Sequence, residues 1–342
     1  MALFSKKPTG PVIKKTVFEM HWDTEDPFMF VSHHEDDYPH GNRQLAPPLE
    51  EIGGRDLGRD YEKRLGFRMY HGKVVPGFPM HAHWGYETLT LPEIGYIDHF
   101  DHDGAHGRFG FGDVQWVMAS SKYMHNEMYP LVNKEDRNPN DITQIMINIP
   151  LERKNRENSV TTVWRDEIPV VEKDGVRVKV LCGEFMGESI ESPSPLSWAK
   201  IENGVRILRM DMPAGTSITF GPAAEGANRN LYMVSGSAAD VMGTKIMHND
   251  RLKIDSQAEF TIINEGTDAV LWLLEGKPIS QKMATFGPVT LGSVKEVREA
   301  LDDIRKREYV DWPFDVIDKV HLEDTGRFIA YPDGTENRPK SE

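Results

Sequence analysis

Short apolar stretches recur along the chain between frequent Gly and Pro residues. Examples are Val114-Gln115-Trp116-Val117-Met118, Val176-Arg177-Val178-Lys179-Val180 and Ser217-Ile218-Thr219-Phe220. That rhythm predicts many short strands, and hence a mainly β protein built as a sandwich or barrel. Residues 144–149, 231–234, 260–264 and 269–274 read as further strands. Helical spacing stands out in one place, where Val294, Val297, Leu301 and Ile304 recur. Ser293 and Glu296 form a capping-box pattern ahead of them and Pro313 lies beyond. The spacing predicts a packing helix over 293–307.

With 342 residues, of which 39% are hydrophobic, the chain can bury two cores. The charged stretch Leu151-Glu152-Arg153-Lys154-Asn155-Arg156-Glu157-Asn158 suits an exposed connection, so domains are expected at 1–155 and 156–310, with an extension over 311–342. Two weakly parallel β blocks flank that stretch, opening at Gly112-Asp113-Val114 and Asn249-Asp250-Arg251, as in a duplicated barrel. Residues 33–54 lack periodicity, and the polar tail after Gly334 reads as mobile.

No apolar run reaches the roughly 18 residues of a membrane span, and Met1-Ala-Leu-Phe-Ser-Lys-Lys is not a secretory leader. A cytoplasmic protein with no membrane contact is the expectation. A net charge of −14 disfavours direct nucleic-acid binding. The only cysteine, Cys182, leaves nitrogen and oxygen to hold any metal.

Eleven of the 13 histidines lie at or before His125, which assigns imidazole chemistry to the first half. Met80-His81-Ala82-His83-Trp84-Gly85-Tyr86-Glu87 reads as one strand, so alternation places His81, His83 and Glu87 on a common face. The same parity pairs His125 with Glu127 in Tyr123-Met124-His125-Asn126-Glu127-Met128. Between the two lies Asp101-His102-Asp103-Gly104, a hairpin signal. In an antiparallel barrel, two such pairs converge four ligands on one interior point. Three neutral imidazoles and a carboxylate suit Fe(II), Mn(II), Ni(II), Cu(II) or Zn(II), with open positions left over. Glu87 is the candidate for an outer partner orienting an imidazole. A lone His-X-His is common by chance. His99, His102 and His106 have a plainer reading as a solvated turn, as do His33, His34 and His40 as loop residues. Trp84, Tyr86, Trp116 and Phe111 are read as packing, and Met118, Met124 and Met128 as adaptable core.

The same residues carry a resemblance. Asp26-Pro27-Phe28, Pro79-Met80-His81-Ala82-His83-Trp84-Gly85-Tyr86-Glu87-Thr88, Gly112-Asp113-Val114-Gln115-Trp116 and Met124-His125-Asn126-Glu127-Met128 resemble the pirins, of the cupin superfamily. Leu231-Tyr232-Met233-Val234-Ser235-Gly236-Ser237, Glu275-Gly276-Lys277-Pro278 and Phe286-Gly287-Pro288 extend the likeness, which covers about residues 15 to 310. It implies a bicupin of two antiparallel β-barrels, with one metal, typically iron, in the first barrel on His81, His83, His125 and Glu127. Where pirins commonly have Pro, His and Arg, this chain has Ala82-His83-Trp84, and Ala119-Ser120-Ser121-Lys122-Tyr123 replaces a more glycine-rich turn. Residues 33–54 and the tail after Asp311 are longer than in a minimal pirin. Residues 221–228, where a second ligand set would fall, contain no histidine, so no second metal is expected.

The resemblance implies an oxidoreductase of the quercetin 2,3-dioxygenase kind, taking a flavonol-like or other phenolic substrate and dioxygen, with Glu127 as both ligand and catalytic base. An iron-dependent, redox-sensing regulator that binds a transcription factor or other protein is the alternative. A carbohydrate isomerase, another cupin activity, is a third.

Overall fold

A computed structural model describes residues 10–307 and 309–340. Strands dominate it, and they gather into two compact units. Each has its own sheets and core.

One unit comprises residues 168–280 together with the described N-terminal residues up to Val31. Its larger sheet places Val12–Val17 beside Asp250–Ile254, then Asn228–Ser235, Ala269–Gly276, Arg206–Met212, Val176–Phe185 and Val170–Lys173. A second sheet contains Ser217–Phe220, Phe260–Asn264, Ala239–Val241 and Thr244–Ile246. Their inward positions, among them Val178, Leu208, Met210, Leu231, Phe220, Ile262 and Leu271, fill the interior with apolar side chains.

The other unit comprises residues 32–167 and the chain from Gln281 onward. One sheet runs Ser159–Val163, Val114–Ala119, Tyr86–Ile94, Asn138–Asn148 and then the strand Phe28–Tyr38, of which residues 32–38 belong to this unit. The second runs Glu336–Asn337, Phe328–Ala330, His106–Gly110, Tyr96–Asp101, Tyr123–Met128 and Gly77–His83. The expected hairpin joins Tyr96–Asp101 to His106–Gly110, turning at Gly104 with φ +96°. The Val294–Arg307 helix packs Val297, Ala300 and Ile304 on Ala82 and Met124, from the outer side of the Gly77–His83 and Tyr123–Met128 strands. Ser293 Oγ accepts the Glu296 N–H, as the capping pattern predicts.

Three expectations need correction. The chain does not divide in simple succession at residue 155, because Val12–Val17 pairs with Asp250–Ile254 while residues 281–340 fold with the first-half barrel. Residues 33–38 are not irregular but continue the Phe28–Tyr38 strand, where His33 Nε2 meets Asp141 Oδ1 at 2.8 Å. The polar tail after Gly334 is ordered, since Glu336–Asn337 pairs with Phe328–Ala330, which adds a strand to His106–Gly110. Backbone pairing explains both ordered segments, and it leaves little trace in hydropathy.

Candidate metal centre

Gly77–His83 and Tyr123–Met128 pair antiparallel with His81 directly opposite His125. Alternation then turns His81, His83, His125 and Glu127 into the barrel. Among the described residues these four form a group whose ligand atoms all lie within 4.8 Å of one another. His83 Nε2 and His125 Nε2 are 2.9 Å apart, and Glu127 Oε2 is 3.7 Å from the Nε2 atoms of both His81 and His125. His125 is fully buried, His83 and Glu127 nearly so, whereas the His81 side chain keeps 31% of its surface. The chamber therefore opens on the His81 side.

The outer nitrogen of each imidazole has a partner. His81 Nδ1 lies 3.0 Å from the Pro79 carbonyl, which can only accept, so the proton sits on Nδ1 and the Nε2 lone pair faces inward. His83 Nδ1 is 2.5 Å from the Tyr86 hydroxyl. Behind His125 stands a buried chain whose direction is set by its far end. Tyr123 O–H donates to Asp101 Oδ2 at 2.7 Å, the Tyr123 oxygen lies 3.2 Å from His99 Nε2, and His99 Nδ1 lies 3.4 Å from His125 Nδ1. With Asp101 as terminal acceptor, His99 donates from Nε2 and accepts at Nδ1. His125 thereby carries its proton on Nδ1 and presents a bare Nε2.

Electrostatics point the same way. Burial pushes His83 and His125 well below the ordinary imidazole range, and neighbouring imidazoles add to it. Burial also lowers His81, against the pull of Glu127. Asp101 feels burial in the opposite sense, yet the bonds from His99 and Tyr123 hold its carboxyl below the usual value. Glu127 is fixed from the facing sheet, where Gln144 Nε2 donates to Oε1 and Oε2 at 2.9 and 3.0 Å. Three neutral nitrogens and one carboxylate converging in a buried chamber fit a divalent transition-metal ion.

Glu87 lies on the other face. Gly85, with φ +92°, breaks the run after Trp84, so the strand restarts at Tyr86 with its parity inverted. Tyr86 reaches His83, and Thr90 Oγ1 lies 3.0 Å from Gln144 Nε2, which places Tyr86, Thr88 and Thr90 inward and Glu87 outward. Tyr86 and His99, set aside as packing and as a solvated turn, are instead the groups behind His83 and His125. The periodicity of Tyr96–Asp101 could have found His99, because Ile97 and His99 share a face in a strand whose burial is almost continuous. His102 donates nothing to the ligand set; its Nδ1 accepts the Met124 N–H.

The sequence matches the Pirin family over residues 12–147 and the Pirin C-terminal cupin domain over residues 207–310. A pirin-like protein of Arabidopsis thaliana is 29% identical over 276 residues, covering 76% of this chain and 85% of its own. A Pseudomonas aeruginosa protein provisionally named quercetin 2,3-dioxygenase is 28% identical over 235 residues, covering 68% of this chain and 79% of its own. The crystal structure of quercetin 2,3-dioxygenase from Acinetobacter baumannii superposes with a TM-score of 0.68 at 18% identity, covering 87% and 98% of the two chains, a likeness of fold. Its two cupin barrels, the paired family matches and these relatives together place the chain in the pirin family.

Proposed function

We propose that the chain holds one divalent transition-metal ion on His81, His83, His125 and Glu127 and oxygenates a phenolic, flavonol-like substrate there. The observation that carries this reading is the convergence of four ligand atoms within 4.8 Å in a chamber open on one side. The oxygenase part leans on the provisional names of relatives. Iron is the metal to test first, and the same donors suit Mn, Ni, Cu or Zn.

Bound there, the ion would act as a Lewis acid that stabilises an ionised substrate hydroxyl near dioxygen. The chain's own residues would do the rest. Glu127, kept in place by Gln144, accepts the hydroxyl proton at a carboxylate oxygen. Pro79 and His99 hold His81 and His125 in the tautomer that faces Nε2 inward, and the Tyr86 hydroxyl holds the His83 ring in place. The surrounding burial excludes bulk water on all but the His81 side.

Elemental analysis of the purified chain should give about one metal per molecule, and oxygen uptake should appear with at least one member of a flavonol panel. His125→Ala should lose both. Stoichiometric metal without uptake for any tested metal would overturn the oxygenase reading and turn attention to a metal-dependent protein partner, sought by pull-down in ferrous and ferric states.

A further inference from the structure

Asn126, the one residue between the two candidate ligand positions of Tyr123–Met128, points outward, and so does Met80 ahead of His81. The Met80 side chain packs against the cluster that holds Val297, Ala300 and Ile304 of the helix, whereas Asn126 and the Met80 N–H meet irregular chain beyond both matched family regions. Asn126 is fully buried. Its Oδ1 accepts the Phe100 N–H at 3.0 Å, and its Nδ2 donates to the Lys319 carbonyl at 2.9 Å. On the neighbouring ligand strand, the Met80 N–H donates to the Ile317 carbonyl at 2.8 Å. Val320 packs against Met128, Ala46 and Val75.

A second set of bonds ties the segment down. Arg108, itself buried, forms a bidentate pair with Asp98 at 2.6 and 2.8 Å. Its guanidinium also donates to the carbonyls of His321, Leu322 and Glu323 at 3.0 to 3.3 Å. Asp98 Oδ2 accepts the His321 N–H at 2.8 Å. Residues 317–321 are half-buried, and they bring main-chain hydrogen bonds to the barrel beside the packing of Val320 and His321.

We propose that residues 317–323 form a strap that, through Asn126 and Met80, sets the spacing and twist of the two ligand strands, with Asn126 as its positioning residue. The inference rests on the metal reading above. His125 and Glu127 flank Asn126, so a strap that fixes Asn126 fixes the backbone from which both ligands project, and a strap that fixes Met80 fixes the backbone next to His81. Ligands held in this way need less ordering when an ion arrives. Thermodynamic reciprocity requires the converse, that the ion hold the strap.

The test uses the full chain, stripped by chelator and titrated with Co(II). In the wild type, Co(II) should slow exchange of the Met80 and His321 amides, the two main-chain donors in the strap's bonds, by about tenfold or more. Asn126→Ser, whose hydroxyl is too short for the Lys319 carbonyl, should bind Co(II) about tenfold more weakly with a shifted visible absorption band, a loss in the range for residues that support metal ligands. A merely structural role would lower the melting temperature of the metal-free protein and leave affinity and spectrum unchanged, and that result overturns the strap. So does wild-type exchange of the Met80 and His321 amides that is indifferent to Co(II), a measurement that needs no variant. Failure of the wild type to bind Co(II), Fe(II), Mn(II), Ni(II), Cu(II) or Zn(II) removes the metal reading and the strap with it, whereas unchanged Co(II) binding by Asn126→Ser removes the strap alone.

Discussion

At the scale of single residues, the placement of the imidazole protons governs the centre, and the bonds behind His81 and His125 set two of them. An imidazole offers one lone pair, and which nitrogen carries it depends on the group bound to the other. The His99–Tyr123–Asp101 chain makes that choice for His125. His99→Leu removes the acceptor at similar volume, so Zn(II) affinity measured by competition should fall about 10- to 100-fold, with the four ligands intact. Unchanged affinity would show that the chain behind His125 is ornamental. The spacing of His81, His83, His125 and Glu127 was readable because ligand and strand periods coincide. Their pairing with outer partners was not, since strand alternation could turn His99 inward but a hydrogen bond across a barrel, to Tyr86 or to His99, has no sequence period.

Among the elements, the Trp84–Gly85 break decides which side chains enter the chamber. Gly85 adopts φ +92°, and a Cβ there would sit 2.0 Å from the Thr290 carbonyl oxygen. Gly85→Ala must therefore move backbone as well as strain its own torsion, at a cost of about 3 kcal/mol. Gly334→Ala isolates the torsional part, because Gly334 has φ +86° with nothing within 4 Å of its Cβ position; it should cost about 1 kcal/mol. Thermal melting of the two variants should differ by roughly 4–8 °C, and equal melting temperatures would mean the crowding at Gly85 relaxes freely. The strands and the capped helix were legible from hydropathy. The Glu87 assignment failed because one positive-φ glycine inverts alternation without altering the apolar pattern, and Gly85 alone in the sequence does not announce its φ.

Across the whole molecule, the chain termini do not stay with the halves they adjoin. Val12–Val17 joins the sheet of the later unit, and residues 281–340 complete the one that holds the His81, His83, His125 and Glu127 cluster. Pairing across more than 200 residues leaves no local signature, which is why composition suggested a boundary near residue 155 and a mobile tail. The tail's attachment brings a pH dependence. His321 stacks on Phe100 at 4.3 Å and lies 5.4 Å from His106, ring centre to ring centre. Burial lowers His321 to about 4, with Asp98 and a Gly107 backbone contact opposing and His106 and Arg108 assisting. Burial lowers His106 too, with Asp101 and Glu336 pulling the other way and His99 and Lys319 assisting. An unfolded imidazole titrates near 6.5, so between about 6.5 and 4 the unfolded chain takes up a proton that folded His321 refuses. The neutral ring's contribution is complete above that window and is lost as pH falls through it, up to about 3 kcal/mol for His321. His321→Phe keeps the stack on Phe100 and cannot protonate. In chelator, the melting temperature of the wild type should drop more steeply than that of His321→Phe as pH goes from 7 to 4.5, while the two converge in slope above 7. Parallel curves throughout would mean that the His321 ring reaches water in the folded protein and is no acid-sensitive point in the tail's attachment.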